Sequence, residues 1–207
     1  MPADRLAAPG DGAITGLVLA GGRGTRMGSV DKGLQSFRGM PMALHVLYRL
    51  QAQVDDVIIN ANQNLAAYEA FGVPVWPDAT AEHAGPLAGL QCGLMHCDTP
   101  YLVTAPCDSP FLPTDLVARL WAALQAEQAD VAIAVTGAAD SLQSHPVFCL
   151  ARTSVLAHLS AFLQDGGRKV DAWFSTLAVA RVHFEDEAAF RNINTLAELQ
   201  AFDSDPG

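Results

Sequence analysis

From Leu19 to Lys32 the chain reads Leu19-Ala20-Gly21-Gly22-Arg23-Gly24-Thr25-Arg26-Met27-Gly28-Ser29-Val30-Asp31-Lys32. Gly21, Gly22 and Gly24 let backbone amides approach an anion without Cβ interference, while Arg23, Arg26 and Lys32 can neutralise it. With Arg38 these cations fall in one short window whose only acid is Asp31, in a chain of net charge −10. A cationic patch on an acidic protein points to a small anionic ligand, with a solvated basic face as the alternative. The overall charge opposes binding to nucleic acid or to an anionic membrane. Two common phosphate loops are excluded. There is no G-x-x-x-x-G-K-[ST] string, and Gly22-x-Gly24 is followed by Met27 where a dinucleotide fingerprint needs its third glycine. The second apolar strand also ends in Asn60 rather than the acid that would hold a ribose.

A second chemical centre is Asp108, held in Pro106-Cys107-Asp108-Ser109-Pro110 just past the apolar run Tyr101 to Ala105. A carboxylate there suits Mg²⁺, which takes one or two carboxylates and completes its shell with phosphate oxygens and water. A turn aspartate bonded to backbone N–H groups is the competing reading. Asn60, in Asn60-Ala61-Asn62, can donate to and accept from a base or ribose. Asp78, after Val75-Trp76-Pro77, can accept paired N–H groups, although a turn role is equally natural. Gly85-Pro86-Leu87-Ala88-Gly89 suits a helix N-terminus near phosphate. Thr195 and Glu198 read as a capping box, and Asn194 precedes them. Arg168 and Lys169, after Gly166-Gly167, can meet a phosphate or form a solvated helix start. The four cysteines (Cys92, Cys97, Cys107, Cys149) contain no C-x-x-C pair and read as buried free thiols. The histidines show no metal-ligand spacing.

The elements that must position these groups alternate. Strands are predicted at Ile14 to Ala20, Val57 to Ile59, Val73 to Trp76, Tyr101 to Ala105, Val131 to Val135 and Ala178 to Phe184. His145 to Leu150 is expected to pair beside Val131 to Val135. Helices are predicted from Pro41 with Leu44, Leu47 and Leu50 on the apolar side, through Tyr68 to a stop at Gly72, and from Leu87 to Cys97. Further helices are predicted from Pro113 to about Gln128, at two later stretches, and from Thr195. Pro74 marks its strand as an edge or an end. This order predicts an α/β fold with a mostly parallel β-sheet covered by helices on both faces, and ligands outside the carboxyl ends of the strands. Residues 1–13 are expected to be a flexible leader, 14–203 one domain and 204–207 a tail. No apolar run is long enough to span a bilayer, and there is no secretory signal.

The composite Leu19-Ala20-Gly21-Gly22-x-Gly24-x-Arg26-Met27-Gly28-x-x-Asp31-Lys32 resembles the N-terminal signature of the nucleotidyltransferase superfamily. Its spelling, with Pro106-Cys107-Asp108-x-Pro110, Gly85 to Gly89 and Asn192-Ile193-Asn194-Thr195, is similar to the molybdenum cofactor guanylyltransferase family over about residues 14 to 202. Ser109 stands where that family more often has threonine. The resemblance implies a Rossmann-like, nucleotide-diphospho-sugar transferase-like fold and transfer of GMP from GTP to the terminal phosphate of molybdopterin. It implies nucleotide binding by Leu19, Ala20, Gly21, Gly22, Lys32, Asn60, Asp78 and Asp108. Mg²⁺ would sit on Asp108, and Arg26 and Lys32 would stabilise the leaving pyrophosphate. Asn194 is expected near the metal or product phosphates, and His145-Pro146 with Gly166 to Lys169 near the pterin. Cytidylyltransferases of this type carry Ala-Ala-Gly where this chain has Ala20-Gly21-Gly22, which favours guanine. A cytidylyl or sugar-1-phosphate transferase and a non-catalytic nucleotide-binding regulator are the rivals. A cytoplasmic monomer, with transient contact to molybdenum cofactor insertion proteins, completes the expectation.

Overall fold

The apolar runs form strands because their residues are packed on both faces of a sheet. In β1 (Ile14–Leu19), Ile14 and Val18 enter one apolar core and Leu17 enters the other. β4 (Asp56–Asn60) divides in the same way, Val57 and Ile59 against Ile58. So does β6 (Tyr101–Pro106), Val103 and Ala105 against Leu102. This is the two-residue period of a strand buried on both sides. A computed structural model describes residues 12–21, 31–79, 85–195 and 198–199.

Helices α1 (Met42–Gln51) and α4 (Leu116–Ala126) cover the first core. Helices α3 (Pro86–Met95), α5 (Leu156–Gln164) and α6 (Val170–Phe174) cover the second. In α1 the buried stripe includes Ala43, Val46, Leu47 and Leu50, an i, i+3, i+4, i+7 set. Leu44, expected on that stripe, lies at its margin and is only partly buried, and Pro41 caps the helix from outside. A short α2 (Leu65–Glu69) carries the buried Tyr68.

With β5 (Val75–Trp76), β7 (Val131–Thr136), β8 (Gln143–Arg152) and β9 (Val179–His183), the seven-stranded sheet has the order β5-β4-β1-β6-β8-β7-β9. β5 forms one edge, next to Pro74, whose missing N–H is harmless there. β1, β4, β5 and β6 run parallel, as do β7 and β9. β8 runs antiparallel between β6 and β7. The connection from β7 is too short for a crossover, so β8 returns as a hairpin partner. Pro146 falls where the β7–β8 register shifts, between Ile133 and Ala134, which accommodates a residue without a ladder donor.

Two features of register prepare the site. Leu19 lies level with both Asn60 and Pro106, and Asn60 lies level with Trp76, so the four parallel strands end together. β1 has β4 on one side and β6 on the other, the switch point where loops diverge and leave a crevice. Pairing of β6 with β8 ends at Val103 and Leu150. Beyond it, Thr104 Oγ1 donates to the Val147 carbonyl at 2.7 Å. A separate hairpin of β2 (Ser36–Phe37) and β3 (Met40–Pro41) packs through Phe37, with Met42, against Ile193, Leu199 and Phe111. This cluster seats the C-terminal segment beside the strand ends. Among the described residues no helix is long and apolar enough to cross a membrane.

Candidate active site

The residue pair Asp31-Lys32 is set by a local anchor. Asp31 Oδ1 accepts from the Gly33 N–H at 3.2 Å and from the Tyr68 hydroxyl at 2.6 Å, and Oδ2 accepts from Asn64 Nδ2 at 3.0 Å. Burial, then the nearby Cys107 and Asp31, push the Tyr68 phenol well above its ordinary range, so it stays a donor to the carboxylate. With the turn held, Lys32 Nζ lies 3.1 Å from Asp108 Oδ2 and 2.7 Å from Asn194 Oδ1. Asp108 comes from the end of β6, and its carbonyl accepts the Ile193 N–H at 2.8 Å. Ser109 Oγ donates to Asn192 Oδ1 at 2.6 Å, so the C-terminal segment is tied to the β6 loop twice. The expected capping box is present: Thr195 N–H donates to Glu198 Oε2 at 3.2 Å and Glu198 N–H to Thr195 Oγ1 at 3.1 Å.

The Lys32 and Asp108 side chains are only 20% and 12% exposed, so their attraction is weakly screened. A carboxylate oxygen and a carboxamide oxygen thus converge on one cationic group. Both are hard donors of the kind Mg²⁺ takes. Among the described residues no three His, Cys, Asp or Glu side chains cluster as a metal cage.

A second polar cluster lies at the ends of β4 and β5. Asn60 Nδ2 donates to Asp78 Oδ1 at 2.9 Å and to the Trp76 carbonyl at 3.1 Å. Asn62 Nδ2 donates to Asp78 Oδ2 at 2.8 Å and to the Gly21 carbonyl at 3.2 Å, while Asn62 Oδ1 accepts the Asp78 N–H at 2.8 Å. Two glycines make room for these carboxamides. A Cβ on Gly21 would lie 2.7 Å from Asn62 Nδ2 and 2.9 Å from Asn60 Oδ1. One on Gly89 would lie 2.6 Å from Asn60 Oδ1. The N-terminal turn of α3 is therefore packed directly on Asn60, with Gly85 at the cap in a positive-φ conformation (φ 69°).

Leu19, Ala20, Gly21, Lys32, Asn60, Asp78, Asp108, Gly85 and Asn194 accordingly gather at one edge of the sheet. Gly22, Arg23, Gly24, Arg26 and Gly28 lie outside the described residues, as do most of the expected leader and the tail. Arg168 and Lys169 stand apart. Arg168 Nη1 donates to the carbonyls of Leu163 and Gly167 at 2.8 and 2.7 Å, which closes the C-terminal end of α5. Lys169 is exposed and makes no such bond. His145 Nε2 lies 2.8 Å from Thr136 Oγ1, its ring is stacked on Phe190, and burial lowers its pKa. A small apolar crevice of about 10 Å³, room for about one water, is lined by Leu19, Pro86, Leu87, Thr104, Pro146 and Phe174. All four cysteines are free, three of them buried. Burial pushes the Cys107 thiol well up and that of Cys149 to about 11.

From sequence alone Asn62 and Asp31 carried no separate role, and Gly89 only that of a helix N-terminus near phosphate, whereas the structure packs Gly89 on Asn60. Asn62 stood in plain view two residues after Asn60. Its signal was the alternation of a strand end, which puts residues 60 and 62 on the same side.

A family model described as a MobA-like NTP transferase domain matches residues 16–180. A molybdenum cofactor guanylyltransferase of Bordetella petrii is 58% identical over 90% of this chain and 95% of its own length. One of Ralstonia nicotianae is 59% identical over 90% and 94%. Among solved structures, molybdopterin-guanine dinucleotide biosynthesis protein A of Archaeoglobus fulgidus superposes with a TM-score of 0.72 at 21% identity, covering 91% of this chain and 96% of that one. A CMP:2-keto-3-deoxy-manno-octonic acid synthetase complexed with CTP gives 0.72 at 15% identity over 92% and 96%, a likeness of fold alone. With the strand-end loops spelled and placed as they are, the chain belongs to the molybdenum cofactor guanylyltransferases, nucleotidyltransferases built on a MobA-like NTP transferase domain.

Proposed function

We propose that this protein transfers GMP from GTP to the terminal phosphate of molybdopterin, with release of pyrophosphate. The observation that carries the reading is the meeting of Lys32, Asp108 and Asn194 at the switch point, beside Gly21 and the Asn60–Asp78 cluster. The triphosphate lies along the loop after β1. Its base faces the ends of β4 and β5, where Asp78 accepts N–H groups from the guanine edge. Lys32, a compact charge on a flexible stem, follows the phosphates together with Arg26.

Asp108, assisted by the Asn194 oxygen, would hold Mg²⁺, which when bound neutralises phosphate oxygens and makes the α-phosphorus more electrophilic. The acceptor phosphate oxygen forms the new bond to the α-phosphorus as the bond to the β-phosphate bridging oxygen breaks in line, and pyrophosphate carries away the displaced electron pair. The acceptor is already ionised near neutral pH, so no general base is needed. The protein supplies position and charge. The pterin end of the acceptor lies on the His145–Pro146 side of the strand ends, where the exposed Lys169 is a cation available to the acceptor. Cytoplasmic action as a monomer, with transient contact to cofactor insertion proteins, belongs to the same reading; four unpaired cysteines support a reducing compartment.

The test is pyrophosphate release from each of the four triphosphates with molybdopterin present. Release with GTP is expected. Release with CTP and not GTP would overturn the choice of base, and binding of GTP without transfer would favour a regulator.

A further inference from the structure

We propose that Asn62 is a positioning residue for base selection, one that acts through Asp78. The inference rests on the reading that Asp78 faces the guanine edge, and it assigns a role to a side chain that reading leaves idle.

An ionised carboxylate offers about four acceptor positions, two on each oxygen. In this structure each Asp78 oxygen already holds one carboxamide N–H, Oδ1 from Asn60 and Oδ2 from Asn62. One position therefore remains on each oxygen. Guanine presents two adjacent donors on one edge, N1–H and the 2-amino group, and a carboxylate held flat toward them takes both. Hypoxanthine has N1–H and lacks the 2-amino group. Cytosine presents an acceptor at N3, which a carboxylate repels.

The plane of the Asp78 carboxylate decides whether both remaining positions face the base together. Asn60 alone would leave rotation about the bond to the carboxyl carbon open. Asn62 closes it, because its amide grips Asp78 at two points: Oδ1 accepts the Asp78 N–H and Nδ2 donates to Oδ2, both at 2.8 Å. The two grips are chemically opposite, so only one orientation of the amide satisfies both. The same Nδ2 reaches the Gly21 carbonyl at 3.2 Å, which ties the base reader to the loop after β1. An alanine at position 21 would crowd that nitrogen.

The experiment measures kcat/KM for GTP and for inosine triphosphate, with molybdopterin as acceptor, in the full-length enzyme and in Asn62→Ala, Asn62→Asp and Asp78→Ala. Thermal melting of each variant accompanies the kinetics. Asn62→Ala is expected to lower the preference for GTP over inosine triphosphate by about tenfold, through the KM for GTP and with kcat largely kept. Asn62→Asp keeps the shape but sets a carboxylate against Asp78 Oδ2, and it should lower the preference at least as far. An equal loss with both triphosphates in the two Asn62 variants would mark a merely structural role and overturn the proposal. An unchanged preference in both Asn62 variants, with its collapse in Asp78→Ala, would overturn the role of Asn62 and leave Asp78 as the base reader. An unchanged preference in Asp78→Ala would overturn the reading of Asp78 itself, and the proposal with it.

Discussion

The two halves of the sheet use their polar side chains differently. Around β1, β4, β5 and β6, polar groups from distant segments bind one another. Lys32 meets Asp108 and Asn194 across 76 and 162 residues, and Asn60 and Asn62 both hold Asp78. Around β7, β8 and β9, the polar groups named as acceptor candidates are spent nearby, although Arg119 reaches the His183 carbonyl across 64 residues. Arg168 serves the carbonyls of Leu163 and Gly167, and His145 serves Thr136 in the adjacent strand. Here a cavity of about 340 Å³ is lined by Ile133, Phe174 and Val179 together with Asp171 and Arg181. A site assembled from distant parts has its geometry defined by the whole fold, which suits reactions governed by position and charge. A half whose candidate groups make only local bonds is better suited to offering a shaped surface to an acceptor.

Substitutions test this division, from the largest expected effect to the smallest. Asp108→Ala removes the carboxylate proposed to hold the cation and should cut kcat on the order of 10²–10³-fold, more than it weakens GTP binding. Near-normal turnover at saturating Mg²⁺ would break the assignment. Lys32→Ala should lower kcat/KM for GTP by about 10- to 100-fold, the worth of a charge-assisted contact. Unchanged kinetics would reduce Lys32 to a partner of Asp108. Gly21→Ala forces Asn60 and Asn62 to shift and should raise the KM for GTP about tenfold while the melting temperature changes little. A wild-type KM would show that the carboxamides yield without cost.

In the other half, Lys169→Ala should raise the KM for the acceptor a few-fold, about the worth of one exposed charge contact, and leave that for GTP alone. A change in GTP kinetics instead would dissolve the contrast. The smallest effect is pH-dependent. Burial lowers the His145 pKa in the folded state, so between that value and its unfolded value the unfolded chain binds more protons. Its contribution is present above the unfolded pKa and lost as pH falls through the folded one. His145→Gln should therefore flatten the fall in melting temperature between pH 7 and pH 5, and an unaltered slope would remove His145 from the account.

Much of this was legible in the residues alone. β1 and β6 showed themselves as apolar runs, because a strand buried on both faces has no place for charge. The glycine-rich loop and Asp108 were legible because each follows such a run at the edge where ligands bind. The capping box from Thr195 to Glu198 was also readable, since its chemistry is local. Even Pro74 marked the sheet edge on which β5 lies.

Tertiary structure decided the rest, and for one physical reason: hydrogen-bond partners far apart in the chain are chosen by which backbones the core brings together. No spacing rule pairs Lys32 with Asn194. That contact exists because Ile193 is buried with Phe37 and Met42, which sets the next residue over the end of β6. No composition shows that Arg168 is occupied while Lys169 is free. Sequence chemistry named Asp78 as an acceptor of paired N–H groups. Only the fold revealed that two of its acceptor positions are already filled, and by which side chains.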